Sequence, residues 1–83
     1  EGHFMIAERK FQMKDITKVL TKLKKRYQDA RVNEFDGLTI EYPDWRCNFR
    51  PSNTEPVAKL NLEAKGEKLM REKSREVEGI ING

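Results

Sequence analysis

The sequence predicts an α+β fold. It is read as a two-layer sandwich in which an antiparallel four-stranded sheet carries two helices on one face, in the order β-α-β-β-β-α. Three observations lead there. Apolar and polar residues alternate singly in four separate stretches, the period of a strand with one face buried. Two other stretches place apolar residues three and four positions apart, which gathers them on one side of a helix. Three of the strands follow one another directly, which suits antiparallel pairing with one face left wet and the other covered by the helices.

The elements follow in order. Residues 1–14 read as a frayed start, linker-like over 1–7, leading into a strand in which Phe11 and Met13 alternate with Gln12 and Lys14. Asp15 is placed to cap a helix over 16–29, whose apolar stripe is Ile16, Val19, Leu20, Leu23 and Tyr27. Asp36-Gly37 marks a turn, with a short strand at 31–34 as an optional element before it. Leu38, Ile40 and Tyr42 then alternate with Thr39 and Glu41, and Trp45, Cys47 and Phe49 with Arg46, Asn48 and Arg50. Pro43-Asp44 between them reads as a hairpin turn. After a loop at 50–56, Ala58, Leu60, Leu62 and Ala64 give the cleanest alternation in the chain. Gly66 breaks into a last helix over 67–81 with Leu69, Met70, Val77, Ile80 and Ile81 on its apolar face. Lys73 interrupts that face and is expected to snorkel outward along its alkyl stem.

Composition narrows the function. Eighty-three residues make one small domain with a modest core and no deep internal active site. The apolar runs are only a few residues long, the one starting at Phe4 included, too short to span a membrane. No basic segment followed by an apolar one reads as a signal peptide. A single cysteine excludes an internal disulfide and a cysteine zinc cluster, and a cytoplasmic, reducing setting is expected. The chain starts at Glu1 rather than Met, as a piece of something longer does. Its net charge of +3 is uneven: residues 1–30 hold eight Lys/Arg against four Asp/Glu. That excess, at Lys18, Lys22, Lys24, Lys25 and Arg26, reads as a solvated helix face or as a nucleic-acid surface.

One segment is not scaffold. Arg50-Pro51-Ser52-Asn53-Thr54-Glu55-Pro56 joins two strong strands and concentrates a guanidinium, two hydroxyls and an amide. Such groups suit an oxyanion, phosphate in particular. Arg50 offers a planar fork of donors, Ser52 and Thr54 offer hydroxyls, and Asn53 tolerates the left-handed backbone of an N–H nest. Pro51 and Pro56 lower the cost of ordering the loop. An ordinary polar loop is the alternative.

With Asp36-Gly37-Leu38 before it and the alternating strand after it, this segment resembles the C-terminal domain of the alpha-D-phosphohexomutase family, the phosphomannomutases and phosphoglucomutases. Asp44-Trp45-Arg46-Cys47-Asn48-Phe49-Arg50 is most similar to the bacterial phosphomannomutase branch. The resemblance is strong over 36–65 and weaker over 1–14, where the family's Gly-Glu-apolar-Asn entry is replaced by Ala7-Glu8-Arg9-Lys10.

The resemblance implies a TATA-binding-protein-like sandwich and a chain that is, over 1–83, the single C-terminal phosphate-binding domain of a larger enzyme. In such enzymes a phosphoserine on another domain exchanges its phosphoryl group with a hexose phosphate, mannose 6-phosphate to mannose 1-phosphate or the glucose equivalent, and magnesium sits in a further domain. Carried over by position, Arg50, Ser52, Asn53 and Thr54 are the ligands of the phosphate that is not reacting. Glu55 either supports the loop by accepting backbone N–H bonds or touches the sugar. Arg46 and Lys59 either raise the potential near the loop or are simply solvated. The partners implied are the hexose phosphate and the parent's other domains, with neither nucleic acid nor membrane. No catalytic residue, metal ligand or cofactor is expected in this chain. The family's phosphorylated serine lies in a Ser-His-Asn context, and the only histidine here is His3. Cys47 is expected to be buried and inert, and Trp45 to belong to the core or its rim. The alternative function is a small basic nucleic-acid-binding or protein-interaction module.

Overall fold

The alternating stretches assemble into a single antiparallel sheet in the computed structural model, which describes residues 4–13 and 15–83. In chain order the elements are β1 (Phe4–Gln12), α1 (Ile16–Arg26), β2 (Arg31–Asn33), β3 (Leu38–Glu41), β4 (Trp45–Pro51), β5 (Val57–Lys65) and α2 (Glu67–Asn82). The strands lie side by side as β1-β5-β4-β3-β2, so the sheet has five strands rather than four. The additional one is β2, the short strand before Asp36-Gly37, which pairs its three residues with β3. Its residues are all exposed, so no buried-and-wet alternation marks it in the sequence.

The first strand also begins earlier than expected. β1 starts at Phe4 and pairs along its whole length with β5, from Phe4 opposite Lys65 to Gln12 opposite Val57. Residues 4–7 are therefore sheet, not linker. The mixed run Ala7-Glu8-Arg9-Lys10 hides the strand because an edge strand with one wet face needs few apolar residues. His3 and Lys14 lie outside the described residues.

The core lies between the sheet and both helices. Leu38, Ile40, Trp45, Cys47, Phe49, Ala58, Leu60, Leu62 and Ala64 enter it from the strands, Val19, Leu23 and Tyr27 from α1, and Val77 and Ile81 from α2. The strict alternation in β5 puts Ala58, Leu60, Leu62 and Ala64 in the core and leaves Lys59, Asn61 and Glu63 on the opposite, wet face. α1 begins where Asp15 accepts a hydrogen bond from the Lys18 N–H at 3.0 Å, the N-cap expected of it. It ends three residues before the expected limit, at Arg26, and α2 runs to Asn82.

An aromatic group locks the two helices to the start of β4. The Trp45 ring stacks on Tyr42 at 5.2 Å and meets Tyr27 edge-on at 5.4 Å. Lys73 turns back over this group where outward snorkelling was expected: its ammonium stands 5.4 Å from the Trp45 ring centroid and pairs with Glu76. Glu76 of α2 accepts from the Tyr27 hydroxyl at 2.6 Å, from Lys73 at 3.3 Å and from Arg26 at 3.4 Å. Burial, with help from Glu76, pushes the Tyr27 hydroxyl far above its ordinary range, so it stays a donor. Tyr42 donates to Asp29 at 2.6 Å and is pushed up to about 12 by burial and by that bond.

Candidate functional site

At the opposite end of β4 the polar segment forms a compact connection. β4 runs on to Pro51, opposite Ala58, and the Ser52 N–H still donates to the Val57 carbonyl at 2.8 Å. The loop proper is thus confined to 53–56, shorter than the 50–56 read from the sequence. β1 ties it down from the side, because the Met13 N–H donates to the Pro56 carbonyl at 3.0 Å.

Inside the turn the Thr54 N–H donates to the Ser52 hydroxyl at 3.3 Å, and the two hydroxyls stand 3.4 Å apart. This is a serine-closed turn. No described residue other than glycine has positive φ, so Asn53 does not adopt the left-handed backbone of a nest. The Ser52 side chain closes the turn instead of an N–H nest at Asn53.

Arg50 is the last open-face residue of β4 before the loop. Its Nη1 donates to Asp36 Oδ2 at 2.6 Å. Asp36 reaches it because the Asp36-Gly37 turn lies beside β4. Gly37 has φ +73°, and a Cβ there would stand 2.6 Å from the Phe49 carbonyl oxygen. Glycine is required on both counts: the left-handed backbone and the close approach to β4. The Asn48 amide also donates to the Asp36 carbonyl at 2.8 Å, fixing the turn from below. Asp36-Gly37, read from the sequence as a turn, therefore also steers the guanidinium.

A hollow of about 320 Å³ opens here, lined by Lys10, Arg50, Pro51, Ser52, Glu55, Val57 and Lys59. The structure thus gathers Arg50, Ser52 and Glu55 from the predicted set around one space. Asn53 and Thr54 are exposed on the loop and do not line it. Among the described residues Glu55 accepts no backbone N–H bond and instead faces the hollow.

Two residues join the set. Lys59, left undecided from the sequence, stands directly opposite Arg50 and ion-pairs with Glu8 at 3.0 Å. Lys10 stands directly opposite Lys59 from β1. Lys59 was within reach of sequence reasoning: it is the first Lys on the open face after the loop, and the hairpin register sets it beside Arg50. Lys10 was not, since its place depends on a pairing between distant segments. Arg46 lies four residues before Arg50 on β4, opposite Glu63, and does not line the hollow.

The hollow gathers the donors Lys10, Arg50, Ser52 and Lys59 at an exposed surface, with Glu55 as its one carboxylate. Nothing in it resembles a nucleophile with an adjacent base: Ser52 has Thr54 as its hydroxyl neighbour, and no histidine is present among the described residues. Among the described residues no three His, Cys, Asp or Glu stand together as a metal site, and no described helix is long and apolar enough to cross a membrane. Cys47 is buried, and burial pushes its thiol up to about 12, which leaves almost no thiolate near neutral pH. Trp45 and Phe49 are core residues at 4% and 0% exposure, so the open face offers no aromatic platform from β4 for stacking bases.

Comparison with known proteins gives a consistent result. A family model described as the phosphoglucomutase/phosphomannomutase C-terminal domain matches residues 7–79. A phosphomannomutase of Methanocaldococcus jannaschii is 42% identical over 75 residues, covering 90% of this chain and 17% of that protein. A phosphomannomutase of Escherichia coli is 38% identical over 65 residues, covering 75% of this chain and 14% of that protein. A crystal structure of a phosphoglucomutase/phosphomannomutase family protein from Burkholderia thailandensis superimposes with a TM-score of 0.70 at 27% identity, over 95% of this chain and 17% of that one. The chain therefore spans about one sixth of the length of the relatives it matches.

Proposed function

The chain belongs to the phosphoglucomutase/phosphomannomutase C-terminal domain family, and from that premise we propose that it holds the phosphate of a hexose phosphate that is not reacting, within a longer mutase. The observation that carries this reading is the hollow beside β4, where Arg50 and Ser52 meet with Lys59 opposite. Arg50 would take two phosphate oxygens in its planar fork, with Asp36 holding the guanidinium in place. Ser52 and Thr54 would supply hydroxyl donors, and Asn53 its amide, from a turn already closed before the ligand arrives.

The contribution to catalysis would be orientation. A clamp on a remote phosphate provides binding energy that positions the reacting end of the sugar elsewhere. A site that reads phosphate and not ring hydroxyls also accepts either end of a sugar bisphosphate, which a mutase requires when its intermediate turns round. This chain alone would not transfer a phosphoryl group. The phosphorylated serine and the magnesium would lie in other parts of the parent enzyme, whose hexose phosphate and neighbouring domains are the partners of this one.

The test is an amide chemical-shift titration of the chain with mannose 1-phosphate, with inorganic phosphate as control. Shifts confined to Arg50, Ser52, Asn53, Thr54 and Glu55, and lost in Arg50→Ala, are expected. Affinity should be millimolar or weaker, about 4 kcal/mol of binding free energy or less, because one wall of a cleft is present. Equal shifts from both ligands would mean that the chain reads phosphate alone. No shift at tens of millimolar in the unmodified chain would remove the reading for the isolated domain. Unchanged turnover in a full-length Arg50→Ala parent would remove it altogether.

A further inference from the structure

The open face of the sheet is a grid of side chains in register, and its rows differ in charge. In the row through Glu63, Glu63 opposes Arg46, Arg46 opposes Glu41, and Glu41 opposes Arg31. Signs alternate across four strands, as cross-strand stabilisation favours. The middle row is largely uncharged: Asn61, Asn48, Thr39 and Asn33 follow Glu8. The row beside the loop breaks the pattern. Lys10 opposes Lys59, and Lys59 opposes Arg50, so three cations from three adjacent strands stand side by side. Like charges directly opposite one another destabilise a sheet.

Two of the three have relief. Glu8 pairs with Lys59 at 3.0 Å and Asp36 with Arg50 at 2.6 Å. Lys10 pairs with no carboxylate among the described residues, and Glu55 is the one acidic side chain lining the hollow with it. An edge-strand lysine also serves to block pairing with another chain. Lys10 differs from that case in lining the same hollow as Arg50 and Ser52.

We propose that Lys10 is a third phosphate-contacting cation of this site, supplied by β1, and that the row Lys10–Lys59–Arg50 keeps an uncompensated charge that a phosphate ester neutralises. The proposal rests on the phosphate reading given above and extends it from the loop to a strand at the far edge of the sheet. Lys10 thereby opposes stability and favours binding, and the two effects carry opposite signs.

That opposition is what the experiment reads. Lys10→Gln, Lys10→Arg and Arg50→Ala are compared with the unmodified chain by amide-shift titration with inorganic phosphate at matched ionic strength, and by urea unfolding without phosphate. Lys10→Gln is expected to weaken phosphate binding roughly 3- to 10-fold while raising the urea midpoint, and Lys10→Arg to restore binding. A Lys10→Gln chain that binds phosphate as well as the unmodified one, while Arg50→Ala does not, overturns the role of Lys10 and leaves the phosphate reading standing. A Lys10→Gln chain that only aggregates more readily, with binding unchanged, assigns Lys10 to edge protection and overturns the proposal. An unmodified chain that does not respond to phosphate at all overturns the proposal for Lys10 and removes the phosphate reading for the isolated domain.

Discussion

The two ends of β4, a strand of seven residues, have opposite character. At its start, Trp45 is buried against Tyr27 and Tyr42, with the Lys73 ammonium over its ring and Glu76 binding Tyr27 close by. At its end, Arg50 is exposed, faces another cation across the strand boundary, and borders an open hollow. One end has its polar groups partnered within the fold; the other offers donors to the outside. The difference teaches that stability and recognition are separated along one strand, so that a substitution can reach one without the other.

The sharpest way to break that separation is at Trp45. Trp45→Ala is expected to lower unfolding free energy by about 3–5 kcal/mol, as removal of a large buried aromatic does. In a small domain this leaves little folded protein, visible as loss of the dispersed amide spectrum. Gly37→Ala comes next, at about 1–3 kcal/mol, because the residue has positive φ and its Cβ would meet the Phe49 backbone. It should also disturb Arg50 amide shifts, since Asp36 is carried by the same turn. Tyr27→Phe, measured by urea unfolding, should cost about 1–2 kcal/mol through the lost bond to Glu76. Arg50→Ala closes the series at about 1 kcal/mol or less, because its pair with Asp36 is solvent-exposed, yet it should abolish the phosphate response. If Arg50→Ala unfolds the chain as Trp45→Ala does, the two ends are not distinct.

Acid titration refines the structural end. Burial raises the Glu76 pKa, but hydrogen bonds from Tyr27 and Lys73 and the charges of Lys73 and Arg26 outweigh it, and the carboxyl lies below its ordinary 4.5. The folded state therefore binds the proton more weakly than the unfolded one. The contribution of Glu76 to stability is present above about pH 4.5 and is lost as pH falls through its folded pKa. Urea midpoints followed from pH 7 to pH 3 should drop in that acid range, and Glu76→Gln should flatten the drop.

Much of this was legible in the sequence. Strict alternation in β5 and β4 and the helical stripes at Val19, Leu23 and Tyr27 translate directly into burial. Arg50 and Ser52 were legible as a concentration of donors on one short loop. What escaped was non-local or uncompensated. β2 has no buried face to pattern it, and residues 4–7 take their strand character from pairing with β5, more than 50 residues away in sequence. The backbone of Asn53 was open to a left-handed form in the sequence, and the structure does not adopt it. Lys10 was unreadable because nothing near it in sequence indicates that Lys59 will stand opposite.

The order of strands also sets the order of assembly. β2 through β5 form a meander in which each strand meets its predecessor across a short connection, whereas β1 must find β5 at sequence separations of 45 to 61, from Gln12–Val57 to Phe4–Lys65. Closing so long a loop is slow compared with zipping hairpins, so β1 is expected to dock late in folding and to leave early in partial opening. Hydrogen exchange would show its amides as the least protected of the long strands. A ligand gripping both Lys10 and Arg50 would stitch this late-arriving strand to the rest, so occupancy of the site would be felt as slower exchange along β1, far from the loop that bears the guanidinium.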